Sequence, residues 1–252
     1  MSLHLTSLGL SFALLSTATL AGCSGIDHDA RFADASLAQL GRAYTAASGA
    51  DLNSAVQRSL AFVGASGPMA CPKVVTEGQE TTITGGCTTE GGERMEGSIE
   101  IHNAPQTPAY DPSQPSSFEL DFRIVQQSAA IRLDGHVELA ETALSGDLRL
   151  DAGGIVSTSR LELACKADGP CTASPGSEIE IADLGGASVE GTWYTDDPPS
   201  GSVTVRGADV LVIDVGARDA DGCVPYTIGD QRGSICAADV LGEVLAGGQP
   251  LR

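Results

Sequence analysis

Positive charge is what this chain most lacks: 14 Lys and Arg stand against 33 Asp and Glu in 252 residues, a formal net charge of −19. Nucleic-acid backbones are held by clustered Lys and Arg, so a nucleic-acid partner is excluded. Aromatic residues are scarce at 4%, with Trp193 the single tryptophan. That scarcity argues against stacking platforms for sugars and against tight interfaces built on aromatic anchors. With charged residues at only 19% and 31 glycines, the composition favours short strands and tight turns over long charged helices. A hydrophobic content of 42% and a mean hydropathy near zero still describe a chain that folds around a core.

Catalytic signatures are missing as well. A nucleophile elbow needs Gly-x-Ser-x-Gly, and neither Gly64-Ala65-Ser66-Gly67 nor Gly186-Ala187-Ser188-Val189-Glu190 keeps that spacing. Phosphate-cradling and dinucleotide-binding glycine patterns are absent. No cysteine pair has Cys-x-x-Cys spacing and no histidine lies beside one, so a zinc site is not expected. Three histidines follow the leader segment, namely His28, His102 and His136. His102 and His136 sit on polar strand faces beside Glu100, Asp134 and Glu138. Pairing of their strands would gather them into a metal or acid–base cluster, but the expectation is solvated surface. Asp219-Ala220-Asp221-Gly222 has the alternating oxygens that open a calcium loop, without the bidentate Glu that closes one. It is expected to be an acidic turn. The expectation is therefore no enzyme, no metal and no cofactor.

What is present begins at the N-terminus. Residues 1–26 carry no Asp, Glu, Lys or Arg, and Leu8 to Leu20 reads LGLSFALLSTATL. This run is too short for a membrane-spanning helix and suits the apolar region of a secretory signal. It leads into Leu20-Ala21-Gly22-Cys23, followed by Ser24-Gly25. The tetrapeptide closely resembles the lipobox of bacterial lipoproteins, although the leader offers His4 where such signals usually carry Lys or Arg. The resemblance implies cleavage before Cys23 and acylation of Cys23 with palmitate-type chains. It further implies a cell-envelope location, and Ser24 resembles the residue found in lipoproteins sent to the outer membrane, on its periplasmic or surface face. Several chains at about 0.8 kcal/mol per buried methylene make a stable anchor.

Cysteine arithmetic agrees with that reading. Seven cysteines less the lipidated Cys23 leave six. They fall into three neighbouring pairs: Cys71 with Cys87, Cys165 with Cys171, and Cys223 with Cys236. Fifteen connectivities are formally open, and nearest-neighbour pairing is expected because each pair brackets turn-rich sequence. In an oxidising compartment each bridge stabilises its loop by roughly 3 kcal/mol.

Residues 1–22 are thus expected as a signal peptide, 23–31 as a tether, and 32–252 as a single domain. Within 32–64 two helices are predicted. The first carries a stripe of Leu37, Leu40, Tyr44 and Ala47. The second is capped by Asp51 and carries Leu52, Val56, Leu60 and Val63. From Val74 the period changes to two. Phe118, Leu120, Phe122 and Ile124 alternate with charges, as do Ile131, Leu133, Val137 and Leu139, and Leu144, Leu148 and Leu150. Such runs are half-buried antiparallel strands. Val210 to Ile213, apolar on both faces, is predicted to be a central strand covered twice. Pro105, Pro108, Pro112 and Pro115 mark a long loop, and 239–246 a short closing helix. The predicted fold class is mainly β. A helical pair precedes a long antiparallel meander, forming a curved sheet, half-barrel or sandwich pinned by local disulfides.

The stretch Cys71 to Asn103, with its Cys-Pro, Gly-Gly-Cys and Gly-Ser-led strand, resembles a segment of envelope lipoproteins from large-genome environmental bacteria. That resemblance implies no activity. Three functions follow as expectations. The first is a non-enzymatic, lipid-anchored module that presents an acidic domain to a protein partner. The second is a carrier of a small apolar ligand such as a lipid, similar in element order to periplasmic lipoprotein carriers, with Leu133 and Leu148 facing the ligand. The third is a hydrolase assembled from dispersed carboxylates with His102 or His136.

Overall fold

The computed structural model describes residues 26–64, 71–126, 129–165, 170–194 and 199–236. The signal segment, Cys23 and the predicted helix at 239–246 lie outside the described residues. Helix α1 runs Leu37–Ala47 and α2 runs Ala50–Gly64. Ser36 starts α1 with a capping box: its Oγ accepts the Gln39 amide, and its own amide donates to Gln39 Oε1. Gly49, in the left-handed region at φ 74°, breaks the two helices apart as predicted.

Two helical details differ from the sequence reading. Asp51 does not cap α2. Gly49 supplies the carbonyl that accepts the Asn53 amide, and Asp51 turns inward from the first turn to meet Arg42. The buried face of α1 is also rotated from the predicted stripe. Leu37 is 48% exposed, while Leu40, Gly41, Ala43, Ala46 and Ala47 are buried. Small residues let α1 lie close against the sheet, which a Leu stripe would hold off.

After the helices the described residues form fifteen strands, all in antiparallel pairs. They are β1 (Lys73–Glu77), β2 (Glu80–Thr84), β3 (Cys87–Thr88), β4 (Arg94–His102), β5 (Ser116–Gln126), β6 (Ala129–Ala140), β7 (Ala143–Ala152) and β8 (Ile155–Cys165). Then follow β9 (Cys171–Ala173), β10 (Glu178–Ile181), β11 (Gly185–Tyr194), β12 (Ser200–Arg206), β13 (Val210–Asp214), β14 (Val224–Ile228) and β15 (Gln231–Ile235). They form one sheet in chain order, with β3 beside β4. Strands β9 and β10 lie end to end, both pairing with β8 and β11.

The sheet is curved rather than split into a sandwich. Its main path counts 13 strands, which laid flat would span about 58 Å. Two packed helices cover far less, yet α2 touches β2, β6 and β7 while α1 touches β8, β10, β12 and β15. The sheet must therefore curl around the helical pair. Its inner face supplies Ile99, Ile101, Phe118, Phe122, Leu148 and Leu163, all buried with the helices, and Phe62 of α2 meets Phe122 at 5.6 Å between ring centres. Gly135 is where curvature demands glycine. Its φ is 137°, and a Cβ there would fall 2.0 Å from the Asp147 carbonyl oxygen.

Strand β13 corrects a sequence expectation. It lies third from the end of the sheet, with Leu211 and Ile213 buried but Val210 and Val212 only half-buried. Val212 is flanked by Thr204 and Thr227 on the outer face; their methyl groups supply the cover that had been assigned to a second layer.

The three neighbouring disulfides, Cys71–Cys87, Cys165–Cys171 and Cys223–Cys236, are all formed. The proline-rich stretch is a loop, organised by Asn103, whose role was not apparent from sequence. Asn103 is fully buried at φ 55°. Its Nδ2 donates to the carbonyls of Asp111 and Gln114, and its Oδ1 accepts the Asp111 amide. Asn103→Ala removes these bonds and places an alanine in the left-handed region. The expected cost is about 2–3 kcal/mol, read as a lower urea midpoint with unchanged slope.

The tether expected at 23–31 is also shorter than predicted, because the chain is docked from Ile26 onward. The Ala30 amide donates to Gly186, the Ala208 amide donates to Ala30, and the Asp209 carboxylate accepts the amides of Phe32 and Ala33. Gly186 makes room: a Cβ there would lie 2.0 Å from Ile26 Cγ2.

Candidate functional site

The outer face of the sheet carries the charges. Register places Glu100, Glu119, His136, Asp147, Arg160 and Glu178 in one row across six strands. Arg160 pairs with Asp147 at 3.1 Å and Arg206 with Glu190 at 2.9 Å. Each histidine among the described residues takes its own carboxylate. His28 Nε2 lies 3.1 Å from Glu178 Oε1, and His102 Nδ1 contacts Glu80 Oε1. His136 Nδ1 lies 2.7 Å from Glu119 Oε1, and its Nε2 lies 3.4 Å from Glu138.

Strand β5 separates His102 from His136, since His102 stands opposite Ser117 and His136 opposite Glu119. Two strand spacings and a two-residue offset put them about 12 Å apart. The fold does not bring them together, and among the described residues no group of three or more His, Cys, Asp and Glu could hold a metal ion. Asp219 is spent on its own turn, its Oδ1 accepting the amides of Asp221 and Cys223. That is the acidic turn the sequence predicted.

Leu133 and Leu148, predicted to face a ligand in the carrier reading, are packed in the core at 4% and 0% exposure. The helical pair occupies the space they face. A cleft lies elsewhere, at one rim of the curved sheet. There the helix–helix turn (Tyr44, Gly49, Asn53) faces the β6–β7 turn and the far ends of β8, β9 and β11, enclosing a cleft of about 560 Å³. Clefts of roughly 300–1,000 Å³ are the usual size for sites that hold one small molecule.

The cleft has a graded lining. Leu163 and Trp193 are almost fully buried in its wall, at 1% and 2% exposure. Leu139, Leu144 and the Cys165–Cys171 bridge are half-buried beside them. Asn53, Glu141 and Arg218 are exposed at its edge. Arg218 donates to the Tyr44 hydroxyl at 3.2 Å. The disulfide has a positional role, since it ties β8 to β9 where both end at the cleft. Apolar walls with a few polar groups at the mouth are the ordinary design of a binding site.

Sequence reading missed these residues. Leu139 and Leu144 look like any inward strand positions, and nothing local to Trp193 or Arg218 marks them. The available signal was the scarcity itself: one tryptophan, the penultimate residue of a strand.

Comparison with protein-family models, with curated proteins and with solved structures returns no match for this chain.

Proposed function

We propose that this protein is a lipid-anchored bacterial cell-envelope lipoprotein, held at the outer membrane through acyl chains on Cys23, whose β-rich domain is a binding module rather than an enzyme. The rim cleft is the observation that carries the binding reading, being a walled apolar space with a polar mouth. With His102 and His136 on strands separated by β5, the hydrolase alternative would rest on one histidine alone. The motif Leu20-Ala21-Gly22-Cys23 supports the anchor.

Covalent reach orients the domain on its anchor. Three peptide units separate Cys23 from Ile26, a span of at most about 11 Å. Ile26 is docked at Gly186, near the start of β11, whereas the cleft lies at Trp193, near its end. Seven residues of strand separate these points by about 23 Å. An anchor on Cys23 would thus join the domain near the start of β11, at the end of that strand away from the cleft. The carrier form of the binding reading is favoured by the apolar walls, with Leu139, Leu144, Leu163 and Trp193 in place of Leu133 and Leu148.

The anchor is tested by expressing the full chain in a bacterial host fed labelled palmitate, beside Cys23→Ala. The wild-type chain is expected to carry label and to sediment with outer-membrane fractions. The variant is expected to carry no label and to leave the outer-membrane fraction. Equal labelling of both chains, or none of either, removes the proposal.

A further inference from the structure

The chemistry of the cleft mouth narrows the ligand class, given the binding-module reading. One cationic side chain, Arg218, borders it. Arg218 has a phenol rather than a carboxylate as its hydrogen-bond partner, unlike Arg42, Arg94, Arg123, Arg132, Arg160 and Arg206, each of which pairs with Asp or Glu. Gly49 and Ala50, where the chain enters α2, line the same space, and the first turn of that helix already carries the Asp51 carboxylate. Glu141 is the one carboxylate of the lining, carried on the β6–β7 turn. Behind this mouth the wall is Leu144, Leu163 and Trp193. The lining thus changes from charged and hydroxylic at the edge, where Arg218, Glu141 and the Tyr44 hydroxyl stand, to apolar within, the order of groups along an amphiphile.

We infer that the cleft binds a single-chain amphiphile with an anionic head, its chain against Leu144, Leu163 and Trp193 and its head at Arg218 and the Tyr44 hydroxyl. A volume of about 560 Å³ suits one acyl chain better than the two of a phospholipid. A free fatty acid and a lysophospholipid share the required chemistry.

Trp193 is the sole tryptophan and stands in the cleft wall, so its fluorescence reports occupancy without a label. Residues 24–252 are exported with disulfides intact, stripped of bound lipid, and titrated below micelle formation with dodecanoate bearing bromine at its far end. Saturable quenching of Trp193 is expected. Unlabelled decanoate and dodecanoate then compete for the site, and each added methylene is expected to tighten binding about three- to fourfold until the cleft is full. Dodecyltrimethylammonium, with the same tail and a cationic head, is expected to compete at least tenfold less well.

Arg218→Ala is expected to weaken dodecanoate about fivefold while leaving a neutral dodecyl glycoside unchanged. Ala140→Trp, at an exposed position on the rim, is expected to block both while circular dichroism stays as in the wild type. Dodecanoate binding more tightly than dodecanoyl lysophosphatidylglycerol assigns the free acid, and the reverse order assigns the lysophospholipid. The absence of saturable quenching overturns the inference, as does equal competition by the cationic amphiphile. Binding of the neutral glycoside with no preference for anions overturns the inference alone and leaves the binding-module reading standing.

Discussion

Replacing Arg42 with alanine is expected to destabilise the domain by about 3–5 kcal/mol, the usual cost of leaving one member of a buried ion pair alone. Arg42 and Asp51 are exposed by only 6% and 7%. They face each other across the helical turn, with Nη1 at 3.3 Å and 3.4 Å from the two carboxylate oxygens. Arg42 Nε is buried with no hydrogen-bond partner, so the pair is incompletely satisfied. Desolvation consequently outweighs the attraction of Arg42 and pushes the Asp51 carboxyl above the ordinary carboxylate range.

The sign of the pH dependence follows. A carboxyl whose folded pKa is raised binds its proton more tightly in the folded chain than in the unfolded one. Its burial therefore costs stability above the folded pKa, and that cost disappears as pH falls through the window between the folded and unfolded values. Removing Arg42 raises the folded pKa further, since only the lowering influence is lost. The penalty of Arg42→Ala should thus be largest near about pH 7 and should shrink towards about pH 4.5. Urea unfolding of the wild type and variant at both pH values measures it. A penalty that stays constant or grows on acidification contradicts the assignment. Arg42→Met combined with Asp51→Leu is expected to recover most of the loss, because well-packed apolar pairs often equal buried ion pairs.

Gly135→Ala is expected to cost about 3 kcal/mol or more. Two independent penalties meet there: a φ of 137°, and a Cβ placed 2.0 Å from a carbonyl oxygen of the neighbouring strand. Backbone would have to move, and in β6 that disturbs pairing with both β5 and β7. Gly78 provides the contrast. It also has positive φ, at 63°, but a Cβ there meets nothing within 4 Å. Gly78→Ala is expected to cost only about 1–2 kcal/mol, the intrinsic price of the left-handed region. Equal losses in the two variants, read from urea midpoints, would show that curvature at Gly135 does not depend on close approach of the strands.

Most of the architecture was legible because period-two alternation is a local property. The alternation in Phe118 to Ile124 and in Ile131 to Leu139 marks strands whatever the register, and turn-bracketed cysteine pairs close only short loops. The errors arose where a neighbour distant in sequence decides the outcome. Asp51 looked like a cap until Arg42 offered a buried partner. Leu37 fitted a stripe that the small face of α1 displaced. Val212 needed only two threonines beside it. Residues 26–31 looked like linker because the glycines that receive them lie some 160–180 positions later.

The same division holds for function. Composition and the Leu20–Cys23 motif alone give the acidic character and the expectations of no nucleic-acid partner and of an anchor, because these depend on residue content or on contiguous residues. Curvature of the sheet around two helices decided the rest. It filled the interior that Leu133 and Leu148 were expected to line, separated His102 from His136, and left one cleft where Tyr44, Leu144, Trp193 and Arg218 meet. Those four residues come from α1, β7, β11 and the loop between β13 and β14, spread over 175 positions. Their meeting depends on strand register and on how far the sheet curls, which are set by packing across the whole domain rather than by any local run of residues.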